Sequence, residues 1–215
     1  MRLYAYYRSS TSYRVRIALN LKGLDYEIVP VDLRAWAQRS AAYRAINPFA
    51  GVPLLEAEGR RYAQSMAILE WLDESYPDPP LLPADRESRF SARELAYAIA
   101  TELHAPLNLP VLQYLKSELG HDQAEIDTWY RHWLGRTLLP VEQRLEQLCA
   151  QDFLFATPGL FEAVLIPQLY NARRFAFDLS PMPHMRRIEA ACLGLQAFAR
   201  AHPDNQSDSQ RERAG

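Results

Sequence analysis

The sequence predicts a two-domain protein, α/β first and all-helical second, and three observations carry that prediction. Four prolines fall within seven residues, at Pro77, Pro79, Pro80 and Pro83, a density that stops a helix and stiffens an extended linker. Ahead of that seam short β-type runs alternate with helical periods, and behind it every periodic segment up to Ala201 reads as helix. The chain has 215 residues, 48% hydrophobic and 23% charged, long and apolar enough to bury a core in each half. The expected organisation is an α/β domain at 1–78, a linker at 79–85, a helical domain at 86–202 and a disordered polar tail at 203–215.

Within the first domain, Arg2–Tyr7 reads as a strand and the stretch from about Ser12 to Lys22 as a helix, with Gly23 just past its end. Val15, Ala18, Leu19 and Leu21 form its apolar face, which leaves Arg14, Arg16, Asn20 and Lys22 for the opposite, solvated side. Tyr26–Val31 is a second strand and Arg34–Ile46 a second helix, so the crossover makes two parallel neighbours. Pro53–Ala57, a Glu58-Gly59 turn and Arg61–Ala63 read as a hairpin. Ser65 is expected to cap a helix whose core face is Ile68, Leu69 and Leu72. The order βαβ-α-ββα places a mixed four-stranded sheet between helices, a thioredoxin-like plan. Beyond the linker, helices are expected at about Arg86–His104, Leu109–Leu119, Ala124–Cys149, Leu160–Phe175 and His184–Ala201. Pro140 and Pro167 should kink or break two of them.

Composition removes several classes of function. The 24 Lys+Arg against 26 Asp+Glu leave a net charge of −2, which gives no electrostatic case for nucleic acid or an anionic membrane. Glycine is scarce, at 8 residues, and neither G-x-G-x-x-G nor G-x-x-x-x-G-K occurs, so phosphate-cradling loops are not expected. The two cysteines, Cys149 and Cys192, have no C-x-x-C or metal-ligand spacing and read as reduced thiols in helix cores. No signal-type apolar segment opens the chain, and no apolar run approaches the ~18–20 residues that span a bilayer. A soluble cytoplasmic protein without a metal site is expected.

Three stretches carry chemistry. Arg8-Ser9-Ser10-Thr11-Ser12-Tyr13-Arg14 joins the first strand to the first helix, so its hydroxyls lie beside unpaired backbone amides and the positive end of the helix dipole, a setting for an anion or a thiolate. A thiol of reference pKa ~8.5 needs about 2.7 kcal/mol to reach ~6.5. The dipole supplies up to ~2 kcal/mol and a hydroxyl bonded to a charged group ~1.5–3 kcal/mol, which suffices without a basic side chain. In Asn47-Pro48-Phe49-Ala50-Gly51-Val52-Pro53, a cis Val52–Pro53 bond would turn the Val52 N–H and C=O outward to pair with an extended peptide. Gln64-Ser65 opens a helix, where free amides and a hydroxyl suit a carboxylate.

The run from Arg8 to Gly23, continued through Asn47-Pro48, Val52-Pro53, Gln64-Ser65, Glu70-Trp71-Leu72, Val111-Leu112-Gln113-Tyr114-Leu115 and Ile166-Pro167-Gln168-Leu169-Tyr170-Asn171-Ala172-Arg173-Arg174-Phe175, resembles the zeta-class glutathione transferases. That group includes the maleylacetoacetate and maleylpyruvate isomerases. The resemblance extends to about His202 and implies the two-domain glutathione-transferase fold and a homodimer. It also implies a glutathione site in which Ser9 orients the thiolate with Ser10 and Thr11 beside it, Val52 and Pro53 meet the cysteinyl backbone, and Gln64 and Ser65 hold the γ-glutamyl end. Arg8, His104 and Arg174 match the positions that hold a small dicarboxylic substrate, with His104 also near glutathione. The implied reaction is cis–trans isomerisation of a maleyl diacid by thiolate addition, bond rotation and elimination, with no metal. Thr11 stands where the class usually has Cys, and Pro110 where its isomerases have an arginine. Gly159 opens the helix at Leu160 without a side-chain acceptor. Two other readings share these residues: a transferase that conjugates or dehalogenates a small electrophile, and a non-catalytic binding protein on the same fold.

Overall fold

The computed structural model describes residues 1–148 and 150–209; Cys149 and residues 210–215, with the expectations that fall on them, lie outside that range. Two compact units divide the chain, one comprising Met1–Leu81 with the segment from Leu193 onward, the other Leu82–Cys192.

The first unit is built on a four-stranded sheet. Strand β1 (Arg2–Ala5) pairs parallel with β2 (Glu27–Pro30) and antiparallel with β3 (Leu54–Ala57), which pairs with β4 (Arg60–Ala63), giving the order β2-β1-β3-β4. Leu3 and Ala5 point to the core by strand alternation. Glu58 (φ 52°) and Gly59 (φ 74°) both take the positive φ that a two-residue hairpin turn needs. The parallel β1–β2 pair and the hairpin follow the predicted plan.

Helix α1 (Ser10–Leu21) departs from its predicted solvated side. Arg14, Arg16 and Lys22 are all buried, because α3 (Ser65–Ser75) packs on one flank of α1 and the C-terminal helix 196–201 on the other. Arg16 and Lys22 survive burial by spending their protons on fixed acceptors. Arg16 donates to the carbonyls of Ala201 and Tyr7, both at 2.9 Å. Lys22 donates to Asp73 at 2.8 Å and to the carbonyls of Tyr76 and Pro79 at 2.6 and 2.8 Å. Asn20 reaches the Ala197 carbonyl at 2.8 Å. The predicted helix at 34–46 is interrupted. Trp36 adopts φ 56°, a 3₁₀ turn spans Ala37–Arg39, and only Ala41–Ile46 (α2) is α-helical, with Ser40 Oγ accepting from the Tyr43 amide.

The second unit is helical: α4 (Arg86–Tyr97), α5 (His104–Leu107), α6 (Leu109–Ser117), α7 (Gln123–Gln147), α8 (Leu160–Arg174) and α9 (Pro183–Leu193). The single helix predicted at 86–104 instead widens into a π-type segment over Ala98–Leu103. Pro140 and Pro167 lie inside α7 and α8 without ending either. The missing acceptor at Gly159 is answered from inside the helix, since Glu162 accepts from the Gly159 and Leu154 amides at 2.8 and 2.7 Å. Cys192 is buried and free, and burial pushes its thiol well above the ordinary range.

The helix predicted at 184–201 is broken between α9 and α10 (Gln196–Ala201), and α10 belongs to the first unit rather than to the helical one. The tail expected to be disordered from residue 203 is folded as far as it is described. A 3₁₀ turn spans Pro203–Asn205, Ser209 is buried, and Asp208 Oδ2 accepts from the Tyr7 amide at 2.9 Å. That bond offers the tail a backbone donor of the β1–α1 loop, which composition alone does not reveal. Among the described residues no helix is long and apolar enough to cross a membrane.

Candidate active site

Ser9 is the N-cap of α1, with extended backbone (φ −66°, ψ 118°) and its Oγ 3.2 Å from the Ser12 amide, which donates to it. The Thr11 hydroxyl donates to the Val52 carbonyl at 2.9 Å. A hydroxyl has one hydrogen, so the 2.9 Å contact between Ser9 Oγ and Thr11 Oγ1 has Ser9 as its donor. The result is a directed chain, Ser12 amide to Ser9 to Thr11 to Val52. The Val52–Pro53 peptide is cis, but the Val52 carbonyl expected to face outward is engaged by Thr11. The loop before it is pinned by Asn47 Nδ2 and Tyr43 Oη, which donate to the Gly51 carbonyl at 2.7 and 2.8 Å. Ser10 follows, buried in the first turn of α1. Arg8, one residue before the cap, is half-buried. It donates to Tyr6 Oη at 3.0 Å and lies over the Tyr7 ring at 5.2 Å.

The Gln64-Ser65 pair stands at the start of α3, but Gln64, not Ser65, is the N-cap, and it makes no side-chain cap bond. Its backbone is strained (φ 70°, ψ 111°), a conformation that a non-glycine residue holds only when its surroundings enforce it and that clusters at binding sites. Ser65 is buried in the first turn, and its Oγ accepts from Arg14 Nη1 at 3.3 Å. Burial lowers the Arg14 pKa to about 9, so the guanidinium stays charged at neutral pH. Sequence reasoning placed Arg14 on the solvent side; the signal that could have found it is an arginine flanked by Tyr13 and Val15 on a helix that other helices cover.

In the second unit, His104 is half-buried where the π-type segment gives way to α5. Arg174 closes α8 on its exposed side, with a 3.4 Å contact to Asn171 Oδ1. Its neighbour Arg173 is committed elsewhere, paired with the buried carboxylate of Glu189 through Nε at 3.0 Å and through Nη2. Tyr130 stacks on Phe175 with centroids 3.5 Å apart. Burial pushes its hydroxyl up to about 12 while the Arg174 charge pulls the other way. Pro110 is exposed in the first turn of α6. An open groove of about 570 Å³ in this unit is lined by Leu115, Leu119, Ile126 and Trp129, and none of the candidate residues lines it.

A model of the glutathione S-transferase N-terminal domain matches residues 8–75, the stretch that holds the hydroxyl chain and the start of α3. Over 97% of its length the chain is 43% identical to a maleylacetoacetate isomerase of Pseudomonas aeruginosa, covering 99% of that protein. A holo structure of a maleylpyruvate isomerase described as a bacterial zeta-class glutathione transferase superposes with a TM-score of 0.95 at 42% identity, covering 97% of this chain and all of that one. A maleylacetoacetate isomerase of Anaeromyxobacter dehalogenans, solved with dicarboxyethyl glutathione and citrate in its active site, superposes with a TM-score of 0.86 at 43% identity, covering 97% of this chain and 96% of that one. With its sheet order, its capped α1 and relatives matched from end to end, the chain belongs to the zeta-class glutathione transferases of the maleylacetoacetate and maleylpyruvate isomerase type.

Proposed function

We propose that the protein is a glutathione-dependent isomerase that converts a maleyl diacid, maleylpyruvate or maleylacetoacetate, to its fumaryl form. The observation that carries the reading is the capped start of α1, where Ser9 and Thr11 are linked to Val52 within one hydrogen-bonded chain. The residues fit the peptide. Hydroxyls and amides at the start of α1 would meet its thiol, and the strained Gln64 with the first turn of α3, which has a buried cation behind it, would meet its γ-glutamyl end. When bound, glutathione supplies a thiolate that adds to the cis double bond, lets the resulting single bond rotate and leaves again as thiolate. The ligand found in the Anaeromyxobacter relative, dicarboxyethyl glutathione, is the thioether expected from thiol addition to a four-carbon unsaturated diacid.

The chain's own residues then divide the work. Ser9, with Ser10 beside it, holds the sulfur ionised at the positive end of α1. Val52 and Pro53 align the cysteinyl backbone, and Gln64 and Ser65 take the γ-glutamyl carboxylate. Arg8, His104 and Arg174 supply positive charge and donors to the diacid carboxylates and to the charge that develops on the carbonyl oxygen. The exposed rings of Phe49 and Phe90, at 68% and 60%, suit burial against a second copy, and we read the active form as a homodimer. A thiol cofactor is kept reduced in the cytoplasm, where we place the enzyme. The direct test follows loss of maleylpyruvate or maleylacetoacetate absorbance. Turnover that requires glutathione is expected, and glutathione-independent or absent turnover of both acids would overturn the proposal.

A further inference from the structure

The connection between β1 and α1 is held by the far end of the chain. The Ser9 amide donates to the Tyr6 carbonyl at 3.0 Å, which closes a four-residue turn with Tyr7 and Arg8 at its centre. The bond that closes such a turn uses neither the N–H nor the C=O of its second residue, and here both are bound from elsewhere. The Tyr7 amide donates to Asp208 Oδ2 at 2.9 Å, and the Tyr7 carbonyl accepts from Arg16 Nη2 at 2.9 Å. An anion on the donor side and a cation on the acceptor side make both bonds charge-assisted. Arg16 is fully buried, and its Nε donates to the Ala201 carbonyl at 2.9 Å, so one guanidinium joins the turn to the end of α10.

The segment beyond α10 is placed to bring Asp208 to that turn. A helix leaves its last four carbonyls without partners inside the helix. In α10 three of the four are met by side chains, Ala199 by Asn205 at 2.7 Å, Arg200 by Gln206 at 2.8 Å and Ala201 by Arg16. Gln206 also donates to the His202 carbonyl at 3.0 Å, and it is buried, as is Ser209 on the other side of Asp208. Asp208 Oδ1 is buried without a partner among the described residues. A carboxylate left half-satisfied costs stability, so the Tyr7 amide is what this one serves. The clamped turn in turn carries Arg8, whose guanidinium lies over the Tyr6 and Tyr7 rings at 5.9 and 5.2 Å and donates to Tyr6 Oη at 3.0 Å. We propose that Asp208 is a positioning residue for the reaction: through the Tyr7 amide it sets the turn that presents Arg8 to a substrate carboxylate and Ser9 to the sulfur. This rests on the isomerase reading above and adds to it a part for the C-terminal segment.

The test compares Asp208→Ala, which deletes the acceptor, with Asp208→Asn, which keeps it, both in the full-length chain and well below their thermal midpoints. Asp208→Ala should raise KM for the maleyl diacid about tenfold, weaken glutathione about threefold by calorimetry and leave kcat within about twofold. Asp208→Asn should bring both constants back to within about twofold of the wild type. Hydrogen exchange at the Tyr7 amide reads the bond itself and should quicken about tenfold in Asp208→Ala alone. A lowered midpoint with unchanged KM and glutathione affinity, which a merely structural role predicts, would overturn the assignment. So would an Asp208→Asn that behaves like Asp208→Ala. If Asp208→Ala does not fold, Asp208→Ser, whose shorter side chain ends before the amide, takes its place. A wild type without glutathione-dependent turnover refutes the isomerase reading, and the clamp is then judged on glutathione affinity and amide exchange.

Discussion

Ser9 accepts from the Ser12 amide and donates to Thr11, so a thiolate bound beside it competes with Thr11 for a single hydrogen. If that hydrogen turns to the sulfur, Ser9→Ala removes one bond to a charged group. The bound thiol's pKa should then rise by about 1–2 units, from ~1.5–3 kcal/mol at ~1.36 kcal/mol per unit. Titration of the thiolate's ultraviolet absorbance reads this directly, and an unshifted curve would take Ser9 out of the chemistry. The two arginines that end α8 separate by a different comparison. Arg174 is exposed, with a long contact to Asn171 and its guanidinium over the Phe175 ring, so Arg174→Met should raise KM for maleyl diacids several-fold while leaving KM for a neutral electrophile nearly unchanged. Arg173 is tied to the buried Glu189, so Arg173→Met strands a carboxylate and should lower the thermal midpoint instead. Steady-state kinetics with a charged and an uncharged substrate, beside thermal melts, tell the two apart; equal effects on both substrates would remove Arg174 from the site.

Among the elements, the start of α8 shows how a missing cap is replaced. Gly159 offers no side chain, and Glu162 reaches back to the Gly159 and Leu154 amides from a fully buried position that raises its pKa. Glu162→Ala leaves two buried amides without acceptors, at about 1–3 kcal/mol each. Chemical denaturation should show a loss of roughly 2–6 kcal/mol, and a loss below about 0.5 kcal/mol would mean the helix start is satisfied in another way. Legibility in the sequence divided at this scale. The hairpin turn, the parallel β1–β2 pair and the hydroxyl-rich start of α1 have local signals, namely Glu58-Gly59, the crossover helix and the Ser9 cap. The solvated side assigned to α1 failed because two other helices pack against it: α10, from the far end of the chain, takes Arg16, while α3 and the residues after it take Arg14 and Lys22. A periodicity argument cannot see a second helix arriving across that sequence separation. The break at Trp36 and the strained Gln64 were invisible for a related reason, since tertiary packing holds positive φ at non-glycine residues.

At the scale of the whole chain, the first unit is closed by its own C-terminal segment. Four prolines mark a seam in the sequence, but the return of residues beyond Leu193 to the first unit has no such signal, because the tail's polar composition hides the bonds it makes. Asp208 holds the Tyr7 amide, two residues before Ser9. His202 lies edge-on to Tyr13 of α1, with ring centroids 6.1 Å apart. It carries a titratable link between the two. Nδ1 of His202 accepts from the Asp204 amide at 3.3 Å, which only the neutral ring can do. Burial lowers the His202 pKa from the ordinary 6.5, with Arg16 adding to the shift and Asp204 opposing it. The unfolded chain therefore binds the proton more readily than the folded one. This contribution to stability is fully present above about pH 6.5 and is lost as pH falls from there through the lowered folded value. Denaturation midpoints should decline over that window in the wild type, and His202→Gln, which keeps an acceptor that does not titrate, should flatten the decline. An equal slope in the variant would assign the pH dependence to another group. Removing the chain after residue 202 gives the matching test of closure, because it releases the Tyr7 amide from Asp208 beside the cap of α1. It should lower the thermal midpoint and weaken glutathione binding together, whereas a drop in stability with unchanged affinity would show that the tail only braces the fold.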